Sequence, residues 1–114
     1  MPHKDDAVRL QHMLDAAKKI AEFVKAKNRK DLDRDEKLAF ALIRLLEIIG
    51  EAAKGVSDAS RKSHPEIPWK EMTGTRDRLI HGYFDVDLDI VWQIVTVDIP
   101  KLVTVLEKIT EPPK

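Results

Sequence analysis

Leu38-Ala39-Phe40-Ala41-Leu42-Ile43-Arg44-Leu45-Leu46-Glu47-Ile48-Ile49-Gly50-Glu51-Ala52-Ala53-Lys54-Gly55 is the stretch whose reading decides the fold. Leu38, Ala41, Leu42, Leu45, Ile48, Ile49 and Ala52 recur at three- and four-residue spacing. That is the period of an amphipathic helix. The helix extends from about Leu32 to Lys54, with Asp31 or Asp33 placed to cap its start by accepting orphan backbone N–H groups. Gly50 inside it costs about 1 kcal/mol relative to alanine, so it marks the close approach of another backbone. Gly55 is expected as the C-terminal cap. Beside the apolar stripe runs a second line, Arg44, Glu47 and Glu51, which shares one face by spacing.

Outward from this helix the pattern repeats. Towards the N-terminus, Val8, Leu10, Met13, Leu14, Ala17, Ile20, Ala21 and Val24 predict a helix over about Asp5 to Lys27, ended by Asn28-Arg29-Lys30. Towards the C-terminus, His64-Pro65 and Ile67-Pro68 punctuate a connector with room for a short helical turn. A third helix, begun at Pro68, is expected from Trp69 to His81, interrupted at Gly74 and ended by Gly82. Asp85 or Asp87 then caps a final helical stretch running through Leu88, Val91, Trp92, Val95, Ile99, Leu102 and Leu106. Pro100 lies inside that stretch and predicts a kink or two abutting helices. The expectation is an all-α fold, a compact bundle of four to five helices. It forms a single domain over 1–114, with an ordered core of about 5–110.

Composition narrows the function. The 20 Lys and Arg balance the 20 Asp and Glu. A protein that coats nucleic acid non-specifically is usually strongly basic, so any polynucleotide must be handled at a small local site or by a partner. No cysteine is present, which removes disulfides and thiolate zinc sites. No apolar run approaches the roughly 20 residues of a membrane span, and the first residues lack the apolar stretch of a signal peptide. A soluble, cytoplasmic protein is expected. Asp85-x-Asp87-x-Asp89 imitates the start of a calcium loop but has Ile90 and Thr96 where glycine and glutamate belong. His3, His12 and His64 have no second ligand at metal spacing and read as surface residues. Neither metal nor cofactor is expected.

One run concentrates the remaining chemistry: Arg76-Asp77-Arg78-Leu79-Ile80-His81-Gly82-Tyr83, an Arg-x4-His-x-Tyr pattern. Arginine, imidazole and phenol supply a phosphate clamp, a proton shuttle and a modifiable hydroxyl. On a regular helix Arg76 and Tyr83 share a face, whereas His81 lies about 140° round from Arg76. Either the helix unwinds at Gly82, or Arg76 is completed by His81 of a second copy. The residues equally allow an ordinary helix end, in which Asp77 salt-links His81 beside a capping glycine. The Arg44, Glu47 and Glu51 line is then either a solvated ion-pair face or a charged wall next to these arginines.

The order Ile48-Ile49-Gly50-Glu51-Ala52-Ala53, Ile67-Pro68-Trp69, Arg76 through Tyr83, Val91-Trp92 and Asp98-Ile99-Pro100-Lys101-Leu102 resembles the HepT-type branch of the HEPN domains, over nearly the whole chain. The resemblance implies a helical bundle that dimerises with two motifs facing one cleft and acts as a toxin ribonuclease. It also implies a nucleotidyltransferase antitoxin of the MNT type that silences the toxin by AMPylation of Tyr83. On this reading Arg76 and His81 are catalytic, and Asp77, Glu51 and Arg78 support them. Metal-free RNA cleavage needs an acid, a base and a cation. One chain offers a single well-placed histidine; a two-fold homodimer offers two around one cleft. The alternative is a non-catalytic module in which the same residues hold a nucleotide or RNA end. A plain helical interaction protein sits poorly with an intact motif.

Overall fold

The structure, a computed structural model, describes residues 4–75, 79 and 86–110. Its elements are α1 (Lys4–Val24), α2 (Arg29–Arg34), α3 (Glu36–Gly55), α4 (Asp58–Ser63), α5 (Trp69–Thr73), α6 (Leu88–Gln93), a π-helical turn (Ile94–Asp98) and α7 (Ile99–Thr110). The fold is all-α, as the periodicity requires. α1 packs between α3 and α7, α5 lies against α3, and α2 joins α3 to α6.

The helix expected from Leu32 to Lys54 is two helices, and neither expected cap starts it. Asn28 caps α2, accepting from the Asp31 N–H at 3.2 Å, while the Asp31 carboxylate accepts from the Asn28 N–H at 2.7 Å. This reciprocal box satisfies two orphan donors. Asp33 instead pairs with Arg29. Asp35, extended at φ −118°, separates the helices and caps α3 by accepting from the Leu38 N–H. α1 stops at Val24, short of Lys27. There Ala26 takes φ 62°, a left-handed conformation that disfavours a side chain.

The deepest line on α3 is displaced from the expected stripe. Ala39, Leu42, Leu46, Ile49, Gly50 and Ala53 are buried. Leu38, Ala41, Leu45, Ile48 and Ala52 are half-buried. Helices approach on two sides, so both lines meet protein, and the seam of closest approach uses the small residues. A Cβ on Gly50 would stand 3.0 Å from the Met72 carbonyl oxygen of α5, the close approach its position predicted. On α1, Val8 is 50% exposed, whereas Asp6 is 1% exposed.

Asp6 is buried because it is hydrogen-bonded. Its carboxylate accepts from the Ser57 N–H at 2.9 Å, the Ser57 hydroxyl at 2.6 Å and the Ser60 hydroxyl at 2.8 Å. Ser57 also caps α4. α1 is thus tied to α4 through a satisfied polar cluster. Gly55 does not cap α3 with a left-handed turn; the chain leaves it through Val56 at φ −73°. Arg61 closes the helix end instead, donating from Nη2 to the carbonyls of Ala53 and Lys54. Gly55 makes room for Arg9, whose Nε lies 2.2 Å from the position of a Cβ on it.

Helical structure runs from Leu88 to Thr110, and the two helices expected around Pro100 are α6 and α7, which abut through the π-helical turn. That turn comes just before Pro100, with the Ile99 N–H donating back to the Ile94 carbonyl. In an α-helix the proline ring would meet the carbonyl of Thr96, and the wider turn relieves that clash.

Gly50→Ala should lower the melting temperature although alanine is the better helix former, because the opposing atom is backbone and cannot swing away. Gly55→Ala should melt at or above the parent, because Arg9 is a flexible side chain. Differential scanning calorimetry of the two variants tests the seam. The reverse order would refute it.

Candidate active site

The Arg-x4-His-x-Tyr run is approached along α5. Trp69 donates its indole N–H to the His64 carbonyl at 3.0 Å, which fixes where α5 begins. Met72 is buried against the α3 seam. The Gly74 N–H still donates to the Lys70 carbonyl, and Thr75, 7% exposed, donates its hydroxyl to the Glu71 carbonyl at 2.9 Å. Leu79 is 1% exposed within the core. Thr75 and Leu79 are thus buried at the two positions that flank 76–78 in the sequence. The side chains of Arg76, Asp77, Arg78, His81 and Tyr83 themselves lie outside the described residues.

Beyond the run the chain is tied back. The Asp87 N–H donates to the Leu79 carbonyl at 2.9 Å. Asp87 also caps α6, accepting from the N–H groups of Asp89 and Ile90. That is the capping role its place in the pseudo-calcium sequence left for it. Asp89 takes Arg29 at 2.7 Å. The hydrogen bonds that Arg29 donates to Asp89 and then Asp33 raise its pKa above the ordinary value. Helix α2 is so fastened beside the start of α6 by an exposed ion pair.

Glu51 is the candidate site residue that the structure places. Its carboxylate is 68% exposed and stands 3.5 Å from the Arg44 guanidinium, itself 61% exposed. It borders a depression of about 70 Å³ lined also by Glu47, Gly50, Lys54, Thr73 and Thr75. Glu51 therefore stands beside the residue that precedes Arg76. The Arg44–Glu51 contact agrees with the solvated ion-pair reading of this line, while the motif arginines of the other reading lie outside the described residues. On its other side Glu51 lines a groove of about 370 Å³ with Asp5, Val8, Arg9, His12, Ile48 and Ala52. His12 is exposed there, and His64 lies 3.6 Å from Glu66. Among the described residues, no three His, Cys, Asp or Glu side chains are grouped to hold a metal ion. No helix among them is long and apolar enough to cross a membrane.

Of the two buried residues Thr75 and Leu79, the second was read from the sequence as part of the motif run, whereas Thr75 was passed over and carried no signal there.

Comparison with known proteins settles what kind of chain this is. The family described as "Ribonuclease HepT-like" matches residues 13–109, a span that includes the whole motif. The chain belongs to the HepT-like ribonuclease family. A Thermococcus cleftensis protein named "Probable ribonuclease HepT" is 45% identical over 107 residues, 94% of this chain and 94% of that protein. A Methanocaldococcus jannaschii protein provisionally named an RNase is 38% identical over 102 residues, 90% of this chain and 94% of that protein. Another of that provisional name, from Caldanaerobacter subterraneus subsp. tengcongensis, is 39% identical over 105 residues, covering 92% of this chain and 94% of its own. No solved structure matches the chain with significance.

An exposed pair such as Arg44–Glu51 contributes little, since water screens it. Glu51→Gln should shift urea unfolding by less than about 0.5 kcal/mol. A much larger loss would mean that Glu51 holds a second partner within the fold.

Proposed function

We propose that this HepT-like chain is the toxin of a toxin–antitoxin pair, a metal-independent endoribonuclease that acts as a homodimer. The observation that carries the reading is the complete Arg-x4-His-x-Tyr run inside a match to a ribonuclease family over residues 13–109. Each catalytic requirement then has a side chain. One His81 takes the proton from a ribose 2′-hydroxyl as its oxygen attacks the adjacent phosphorus. The second His81, from the other copy, gives a proton to the 5′-oxygen as the P–O5′ bond breaks. A 2′,3′-cyclic phosphate and a 5′-hydroxyl end result, with no net change in protons. Arg76 of each copy clamps the phosphate through its planar fork, which suits the charge that builds up in the transition state. Two local arginine pairs also make a positive cleft on a chain of net charge zero.

Purified protein incubated with total RNA should generate new ends, mapped by sequencing, at sites that EDTA leaves unchanged. His81→Ala and Arg76→Ala should each lower the rate by roughly 10²–10⁴-fold, the usual contribution of such roles, with melting unaltered. Light scattering should report a dimer at micromolar concentration. Undiminished cleavage by His81→Ala, or a fully active monomer, would overturn the scheme.

Control rests on Tyr83, the one tyrosine of the chain. An MNT-type nucleotidyltransferase would join the Tyr83 oxygen to the α-phosphorus of ATP, releasing pyrophosphate and the phenolic proton. The attached AMP brings a charged phosphodiester to the place where RNA phosphate must bind, and Arg76 can pair with it as a tethered competitor. Tyr83→Phe should cut RNA nearly as well as the parent yet escape neutralisation by the partner enzyme and ATP. Mass spectrometry after co-expression should find the added AMP on the peptide containing Tyr83. Finding it elsewhere would refute this assignment.

A further inference from the structure

The solvent side of the α1–α3 pair carries two matched stripes. On α1, Val8, His12, Lys19 and Phe23 are all exposed and follow at four- and seven-residue spacing, so they share one face. Val8 at 50% and Phe23 at 38% are two of the four large apolar side chains exposed among the described residues. On α3, Ala41, Leu45, Ile48 and Ala52 follow at three- and four-residue spacing and are half-buried, so α1 covers them only in part. The stripes meet in the groove of about 370 Å³, where Val8, Arg9 and His12 stand opposite Ile48, Glu51 and Ala52. Asp6 reaches Ser57 beyond the end of α3, so the two helices run antiparallel.

A second copy of the chain fits this face. A two-fold axis laid along the groove, parallel to the helices, places α1 of one copy over α3 of the other. Rotation about that axis shifts nothing along it, so residues that share a level within one chain meet across the axis. Val8 then settles on the small Ala52 of the other copy. Lys19 lies along the apolar surface with its head in water. Neighbouring helices stay antiparallel, the arrangement of a four-helix bundle. The charges match as well. Arg9 is half-buried and makes no ion pair among the described residues. Glu51 meets Arg44 through one carboxylate oxygen at 3.5 Å, which leaves its second oxygen to take another cation. Arg9 and His12 of each copy come over Glu51 of the other, twice by symmetry. An axis across the helices would set α1 on α1 and lose this match. With 21 and 20 residues the two helices are about 30 Å long and together about 20 Å across. The face is thus roughly 600 Å², the lower end per partner of a stable interface. We infer that two copies pack through the α1–α3 face, with Arg9 of each paired to Glu51 of the other. This rests on the homodimer of the proposed function and names its surface.

The test uses the full chain in sedimentation equilibrium at micromolar concentration. Arg9→Glu alone, or Glu51→Arg alone, sets like charges at both contacts and should raise the dimer Kd about 10-fold or more. Mixed in equal amounts, the two variants should pair as tightly as the parent, because every contact then joins opposite charges. A pairing confined to one chain could not be restored by mixing. Val8→Glu should also dissociate the dimer, with helical content by circular dichroism unchanged. Phe40→Glu, at an exposed position on another line of α3, should leave the mass at that of the dimer. Single variants that dimerise like the parent, or a mixture that stays monomeric, would overturn this surface and leave the ribonuclease reading standing. A parent that is itself monomeric would overturn the surface and the homodimer together.

Discussion

The arrangement depends on how closely one backbone is allowed to approach α3. With no side chain at Gly50, the Met72 carbonyl comes to within 3.0 Å of where a Cβ would sit. Ala39 and Ala53 are buried on the same helix, so its deepest seam is edged with small residues. A helix lined there with leucine alone would hold its neighbours further off, and packed interiors tolerate such shifts poorly. α5 is short and has no side-chain cap bond at its start. Its place is set by the seam, by Trp69 reaching the His64 carbonyl and by the burial of Thr75 and Leu79. The Arg-x4-His-x-Tyr run follows directly in the sequence, so the point from which it starts is set by a missing methyl group.

A second constraint is polar. Folding takes the Asp6 carboxylate out of water, which is tolerable only because three hydrogen bonds from Ser57 and Ser60 replace its hydration. Arg61 meanwhile supplies the carbonyls at the end of α3. Together they tie the first turn of α1 and the last turn of α3 to the short helix α4. These contacts are directional where the apolar core is not, and they fix the register in which α1 lies along α3.

The long helices were legible because their period is carried by large apolar residues: Leu10, Met13, Leu14 and Ile20 on α1, Leu102 and Leu106 on α7. What escaped was whatever the period does not encode. On α3 the expected stripe took in the buried Leu42 and Ile49 and the close approach at Gly50, but it also held the half-buried Leu38, Leu45 and Ile48 and missed the buried Ala39, Leu46 and Ala53. Asp6 drew no reading from the sequence, because nothing local announces partners some fifty positions away. Asn28, Asp31, Asp33 and Asp35 are all competent caps, and only tertiary packing chooses among them. The Arg-x4-His-x-Tyr run was legible as an ordered set of chemical types, but by itself it equally allowed an ordinary helix end, and it took the family resemblance to favour a site. The buried residue before it was not legible, because Thr75 is an unremarkable residue until its hydroxyl is seen turned back on Glu71.

The bond from the Asp87 N–H to the Leu79 carbonyl pins together two points that the chain otherwise joins only by way of residues 80–86. Tyr83 is the midpoint of that excursion, four residues from either end. At 3.3–3.6 Å per residue its backbone can stand at most about 14 Å from the pinned pair, however the intervening residues run. His81 is held on a shorter tether still. On the proposed function, an enzyme that modifies Tyr83 would have to bring its own active site within that distance of the pinned pair. Substrate and regulator would then be made mutually exclusive by the length of a leash, before any contact between them is considered.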